Sequence, residues 1–424
     1  MRLSKSIQCG MVLLALLAAD PCRAQEAPPR LSALEKEPDW STLDKFQWTM
    51  SREEFTRLLD TVYAPGGAWK QTIEITPGGA SVLAGGTDRW LLHFANAQKR
   101  AAPPALYWRP LATLPPGGQP LAGVKIGLDP GHLGGEWAKM EERWFEIGGN
   151  TQPVAEGDMT LLTSRLLAAL LKARGANIEY VRNSTEPATP LRPADLRGTA
   201  RAQLQGEGMR FIRDKYDGPA DMLRMNSIQW TSELLFYRTA EIQARGRLVN
   251  DQLKPDLVLC LHYNAEAWGD PKHPALVNRD HMHVLVNGCY AAPELALDDV
   301  RYGMLVKLLS RTYAEELPVA EHVADSLAKA TGLPPYTYTT PNAIHVSDNP
   351  YIWARNLLAN RIDECPVVYI EPYVMNSPEV WERVQAGNYD GRKLIDGKMR
   401  ESIYREYANA VANGVEKAAA DLRK

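Results

Sequence analysis

The chain has 424 residues, enough for two or three domains, and its 45% hydrophobic and 23% charged residues are ordinary globular composition with ample material for a buried core. A formal net charge of −3 gives no bulk electrostatic footprint for nucleic acid, so none is expected as a partner. Beyond the first residues, no segment approaches the ~20 apolar residues needed to span a bilayer.

The start reads as an export signal covering residues 1–24. Arg2 and Lys5 are followed by the apolar run Cys9 to Ala19, and Cys22-Arg23-Ala24 offers a cleavage point after Ala24. The expected location is therefore exported. Removing those residues leaves Cys260, Cys289 and Cys365, which allow one bridge and a free thiol in an oxidising compartment. No CxxC spacing exists, so a cysteine-bound metal is not expected.

Residues 25–37 are polar and Pro-rich and read as a mobile start. Residues 38–100 read as a small α+β accessory unit. Ser51 caps a short helix, with Glu54 three residues on and Phe55, Leu58, Leu59 and Val62 as its apolar face. Thr72 to Ile75 and Trp90 to Phe94 read as strands. Residues 101–120 form a linker marked by Pro103-Pro104 and Pro115-Pro116-Gly117-Gly118.

From 121 to 424, strands and helices alternate. Val124 to Leu128 is a strand, stopped by Asp129-Pro130-Gly131. Met159, Leu162, Leu166, Leu170 and Ala173 define an amphipathic helix ended by Gly175. Ile178 to Val181 is the next strand. Leu235, Ile242 and Val249 line a helix near 231–252. Leu257 to Leu261 is a continuous apolar run, as a buried parallel strand should be. His283 to Val286 and Val367 to Ile370 are further strands, and Lys398 to Leu422 a closing helix. This alternation predicts an α/β fold with an open, mostly parallel twisted sheet and helices on both faces. Two polar stretches near strand ends, 183–231 and 268–280, read as insertions that shape a cleft.

Open α/β sheets place their sites beyond the carboxyl ends of strands. His132, His262 and Glu371 follow such ends, and Glu156 precedes a helix. Two imidazoles and a carboxylate make a catalytic zinc set with one open position, and a second carboxylate can move protons. Taken singly, each residue has a structural reading. A strand-end His is commonly a core residue, and a Glu at a helix start commonly serves the helix dipole. Glu141, Glu142 and Glu146 compete with Glu156 as the acidic ligand. His281 and His283 share one strand face, as a metal pair, a substrate contact or surface residues. Trp137, Trp144 and Trp268 lie in loops that would rim the cleft or pack it down.

The motifs resemble, in order, those of the zinc-dependent N-acetylmuramoyl-L-alanine amidases of the amidase-3 type. The carriers are Ile126-Gly127-Leu128-Asp129-Pro130-Gly131-His132, Glu156-Gly157-Asp158-Met159-Thr160-Leu161, Arg245 and Asn250 followed by Pro255 to Ala265, and Val368 to Asn376. The resemblance covers 121–424. It implies one zinc per chain held by His132, Glu156 and His262, with Glu371 as general base and then acid. The reaction it implies is hydrolysis of the amide between N-acetylmuramic acid and L-alanine in peptidoglycan. Arg245, Asn264 and His283 are candidates for substrate or supporting contacts, Arg245 more as a structural ion-pair partner. Leu133 before Gly134-Gly135, Cys260 in place of a common serine, and the long 183–231 segment depart from the pattern. The insertion raises an activator or regulatory protein as a partner that would uncover the site. The alternatives are another zinc hydrolase acting on wall fragments and a non-catalytic wall-binding or regulatory module.

Overall fold

The computed structural model describes residues 31–115 and 118–424. The expected signal segment and the middle of the Pro115–Gly118 linker lie outside the described residues.

A three-stranded antiparallel sheet follows the first helices: β1 (Ile73–Ile75), β2 (Gly79–Leu83) and β3 (Arg89–His93). The sequence reading missed β2, whose Gly-Ala-Ser-Val-Leu composition has weak strand propensity. The main sheet has seven strands. In chain order these include β4 (Lys125–Pro130); a separate hairpin of β5 (Trp144–Phe145) and β6 (Val154–Ala155) intervenes before β7 (Asn177–Tyr180), β8 (Leu257–Leu261), β9 (Met282–Val286), β10 (Ile344–His345), β11 (Ile352–Ala354) and β12 (Val367–Pro372). Their order across the sheet is β10-β11-β9-β12-β8-β4-β7. β7, β4, β8 and β12 run parallel, β9 is antiparallel to β12, β11 is parallel to β9, and β10 reverses again. The mostly parallel sheet expected from the sequence is present.

Alternation along the strands explains the two layers. Ile126, Leu128, Leu257, Leu259, Leu261, Val368 and Ile370 face one core, closed by the helices Glu156–Ala173, Thr312–Thr331 and Ile403–Leu422. Val258, Cys260, Val367 and Tyr369 face a second core with Val249. The first core runs without a break into the 38–100 region through Leu43, Phe46, Phe55 and Trp90. Backbone bonds seal that junction: the amides of Cys289 and Tyr290 donate to the carbonyls of Val62 and Tyr63.

Several expectations need correction. Residues 398–401 are not helical; Lys398–Glu401 is strand β14, paired with β13 (Arg392–Ile395) around Asp396-Gly397, and the helix starts at Ile403. Asp396 and Gly397 both have positive φ, and a tight turn of that kind overrides helix propensity. On the Glu156–Ala173 helix the buried stripe is Met159, Thr160, Thr163, Leu167, Ala168 and Leu171, while Leu162, Leu166 and Leu170 are only half-buried and Ala173 is exposed. The sheet and the closing helix approach from different sides, so the covered arc is wide and includes hydroxyls. Ser32, read as part of a mobile start, donates from its backbone to Asp299, and Gln243 donates to Glu35. All three described cysteines are free and buried. The 183–231 stretch is not a bare loop; it carries the helix Arg197–Gly206 and the start of a long helix at Ile228, capped by Ser227. No helix among the described residues is long and apolar enough to cross a membrane.

Candidate metal centre

β4 ends at Pro130, and Gly131 carries the chain across the top of the sheet with its amide on the Leu261 carbonyl, 2.8 Å away. A Cβ at Gly131 would lie 2.1 Å from His262 Cε1, so only glycine leaves room for that imidazole. His132 then adopts φ +57°, a left-handed conformation that is costly for a non-glycine residue and needs support. The support comes from behind. Arg245 Nη1 donates to Asp129 Oδ1 (2.9 Å) and the Pro130 carbonyl (3.0 Å), and its Nη2 reaches the His132 carbonyl at 3.3 Å. Arg182 Nη2 donates to the Pro130 and Gly157 carbonyls. Arg245, buried and also paired with Glu241 at 2.8 Å, braces the turn from behind.

Gly157 lets the first turn of the 156–173 helix press on this turn, because a Cβ there would meet the Leu133 carbonyl at 2.1 Å. That contact puts Glu156 beside His132. Glu156 Oε1 accepts from the Tyr263 amide (3.1 Å) and lies 3.1 Å from His262 Nδ1. Its Oε2 is buried and accepts no hydrogen bond, although His132 Nε2 is 3.3 Å away and Arg143 Nε 3.6 Å away. A buried oxygen without a partner is rare and calls for an explanation. One ligand atom each from His132, Glu156 and His262 lies within 4.8 Å of the others. Two imidazoles and a carboxylate whose second oxygen has no hydrogen-bond partner are a donor set that fits a divalent ion.

Electrostatics keep the donors in ligand form. Burial holds His132 down at about 3, with Arg143 and His262 acting the same way against Glu156, so the ring is neutral. Burial opposes the charge of Glu156, but His132, His262 and Arg143 outweigh it and lower its pKa. The tautomer of His132 is set by Glu141, whose Oε2 lies 3.0 Å from Nδ1 and accepts from the Leu133 amide at 2.9 Å. With Nδ1–H donating to Glu141, Nε2 turns its lone pair to the cluster. Burial raises Glu141 to about 7, against the Leu133 amide and three arginines. From sequence, Glu141 appeared only as a competing ligand. Its position nine residues after His132 gives no hint that the intervening loop folds back. His262 stacks on Tyr369, with ring centroids 4.2 Å apart.

Glu371 stands one residue beyond the paired Ile370, as His262 stands one beyond Leu261 on the adjacent parallel strand, so both project to the same face at the same end of the sheet. Burial raises its pKa, but the electrostatic and hydrogen-bond interactions with His283, then His262 and Arg143, lower it to about 2. His283 Nε2 lies 2.8 Å from Glu371 Oε2. Asn264, also singled out from sequence, places Nδ2 3.5 Å from Nδ1 of both His281 and His283. Among the described residues, the His281–His283 pair forms no metal-type cluster. Trp137 packs on Phe236 and Trp268 on Phe145, so both hold loops down, while Trp144 stays half-buried under Lys139.

No protein-family model and no curated protein matches the chain. Among solved structures it is similar to the N-acetylmuramyl-L-alanine amidase Ami1 from Mycobacterium smegmatis, at 17% identity over 71% of this chain and 99% of that one, with a TM-score of 0.38. It is also similar to the CwlD amidase from Clostridioides difficile in complex with the GerS lipoprotein (11% identity, 70% and 100% covered, TM-score 0.38). A third is the N-acetylmuramoyl-L-alanine amidase AmiC2 of Nostoc punctiforme (14%, 70% and 97%, TM-score 0.35).

Proposed function

We propose that this chain is an exported, zinc-dependent N-acetylmuramoyl-L-alanine amidase of the amidase-3 type, acting on peptidoglycan in the periplasm or at the wall. One observation carries the reading: His132, Glu156 and His262, more than a hundred residues apart at the extremes, bring ligand atoms within 4.8 Å, with Glu371 on the neighbouring strand end. The ordered sequence motifs supply the substrate class. Residues 121–424 form the catalytic unit, and 38–100 brace it through the shared core.

His132, Glu156 and His262 would hold a zinc ion, which when bound would supply Lewis acidity to a water and to the scissile carbonyl. Glu371 takes the proton of the attacking water and returns it to the alanine nitrogen as the C–N bond breaks. The lactyl carbonyl gains the hydroxyl and the peptide leaves with a free amine. Arg182 and Arg245 hold the His132 turn, and Glu141 holds its tautomer.

Metal analysis of the purified protein should give about one zinc per chain, lost in His132→Ala. Digestion of intact wall should release muramyl lactyl groups and N-terminal L-alanine together. Any other bond cleaved would move the assignment to a different zinc hydrolase on wall fragments. The 183–231 insertion is pinned to the loop after His132 by the Arg224–Glu142 pair. An activating protein that lifts it would uncover the site, so Arg224→Ala should raise basal activity a few-fold, and an unchanged rate would count against such control.

A further inference from the structure

β9 runs antiparallel to β12 with His283 directly opposite Glu371. Directly opposed residues in such a pair share a face at close range, so the register alone puts imidazole against carboxylate. His283 is buried, its ring set between Tyr336 and Tyr338 at centroid distances of 5.1 and 5.4 Å.

The tautomer of this ring can be derived. The Ala265 amide donates to Asn264 Oδ1 at 2.7 Å, which fixes the amide orientation and turns Nδ2 toward His283 Nδ1. Nδ1 therefore faces a donor and presents its lone pair. The proton sits on Nε2 and is donated to Glu371 Oε2 over 2.8 Å. Tyr338 Oη, 3.1 Å from the same Nε2, accepts from Arg355 Nη1 at 3.3 Å, which closes the pocket behind the ring.

We propose that His283 is the positioning residue for Glu371: its Nε2–H fixes Oε2 and leaves Oε1 as the oxygen that takes the proton from water. This rests on the amidase reading for the reaction itself, while the hydrogen bond can be read without it. A carboxylate free to rotate spends part of its time misaligned, and a misplacement of about 1 Å can cost 10²-fold in rate. The donor also stabilises the charged form of Glu371, so its loss raises the pKa of the base. Charged and titratable groups facing the pair are Arg355, Tyr336, Tyr338 and His281 around the ring, and His262 and Arg143 around the carboxylate.

The test uses the full zinc-loaded protein. His283→Phe should lower kcat about 10- to 100-fold with KM and zinc content near the parent's, and move the acid limb of kcat/KM to higher pH. His283→Gln, which keeps a donor, should recover most of the rate and return the limb. In 15N-histidine spectra, the resonance absent from His283→Gln should show a proton on Nε2, and that proton should shift in Glu371→Gln. An Nδ1-protonated ring, or His283→Phe with the parent's kcat and pH profile, would overturn the inference. A zinc-loaded parent inert toward wall would sink the amidase reading, and the spectra would still decide where His283 donates.

Discussion

The Lys307–Glu316 pair and the His132–Glu156–His262 centre differ in completeness. Lys307 and Glu316 meet at 2.9 Å with no exposure of either side chain. The three donors of Lys307 are all used, on Glu316 and on the Asp363 and Cys365 carbonyls; Glu316 in turn accepts from the Val367 and Asn287 amides. In the His132–Glu156–His262 centre Glu156 and His262 are buried and His132 is half-buried, yet Glu156 Oε2 accepts nothing. A satisfied pair ties a helix to the sheet. An unsatisfied one holds desolvated donors ready for something the chain does not itself supply.

That contrast can be broken at several points. Glu371→Ala should show the largest effect, a loss of about 10²- to 10⁴-fold in kcat with zinc content unchanged, measured on intact wall. Equal activity would remove the mechanism. Lys307→Met should cost about 3–5 kcal/mol in denaturant unfolding, because it strands a buried carboxylate. Glu156→Gln should abolish zinc binding while the stability of the zinc-free protein holds or rises. Parallel destabilisation by the two variants would mean that the centres are alike. Glu141→Gln should weaken zinc about 10- to 100-fold in competition with a chelator, through the loss of His132's tautomer control.

The smallest effect concerns Asp363, which burial, aided by the charge of Asp129 and opposed by Lys307, pushes up to about 8. Its folded pKa lies above its unfolded one. Between about pH 4 and pH 8 the unfolded state has released a proton that the folded state keeps, so stability falls as pH rises. Asp363→Asn should therefore raise Tm more at pH 8 than at pH 5, and a pH-independent change would place the proton elsewhere.

How much of this was legible follows from the range of the interactions. β4, β8 and β12 stand out because a strand buried on both faces must be apolar throughout, and that pattern is local. β10 and β11, of two and three residues, carry no such signal, and the β13–β14 turn defeats a helical pattern. The four strand-end and helix-start residues could be picked out as chemistry-bearing types in suggestive places.

The sequence by itself determined the alternating order of elements, the apolar strands and the ends at which His132, Glu156, His262 and Glu371 stand, since propensity, periodicity and turn chemistry act over a few residues. Only the tertiary structure decided that Glu141 folds back onto His132, that Arg182 and Arg245 brace the left-handed turn, and that β9 runs against β12 to set His283 opposite Glu371. Those relations depend on strand direction, register and loop return, and they are fixed by burying the whole sheet at once.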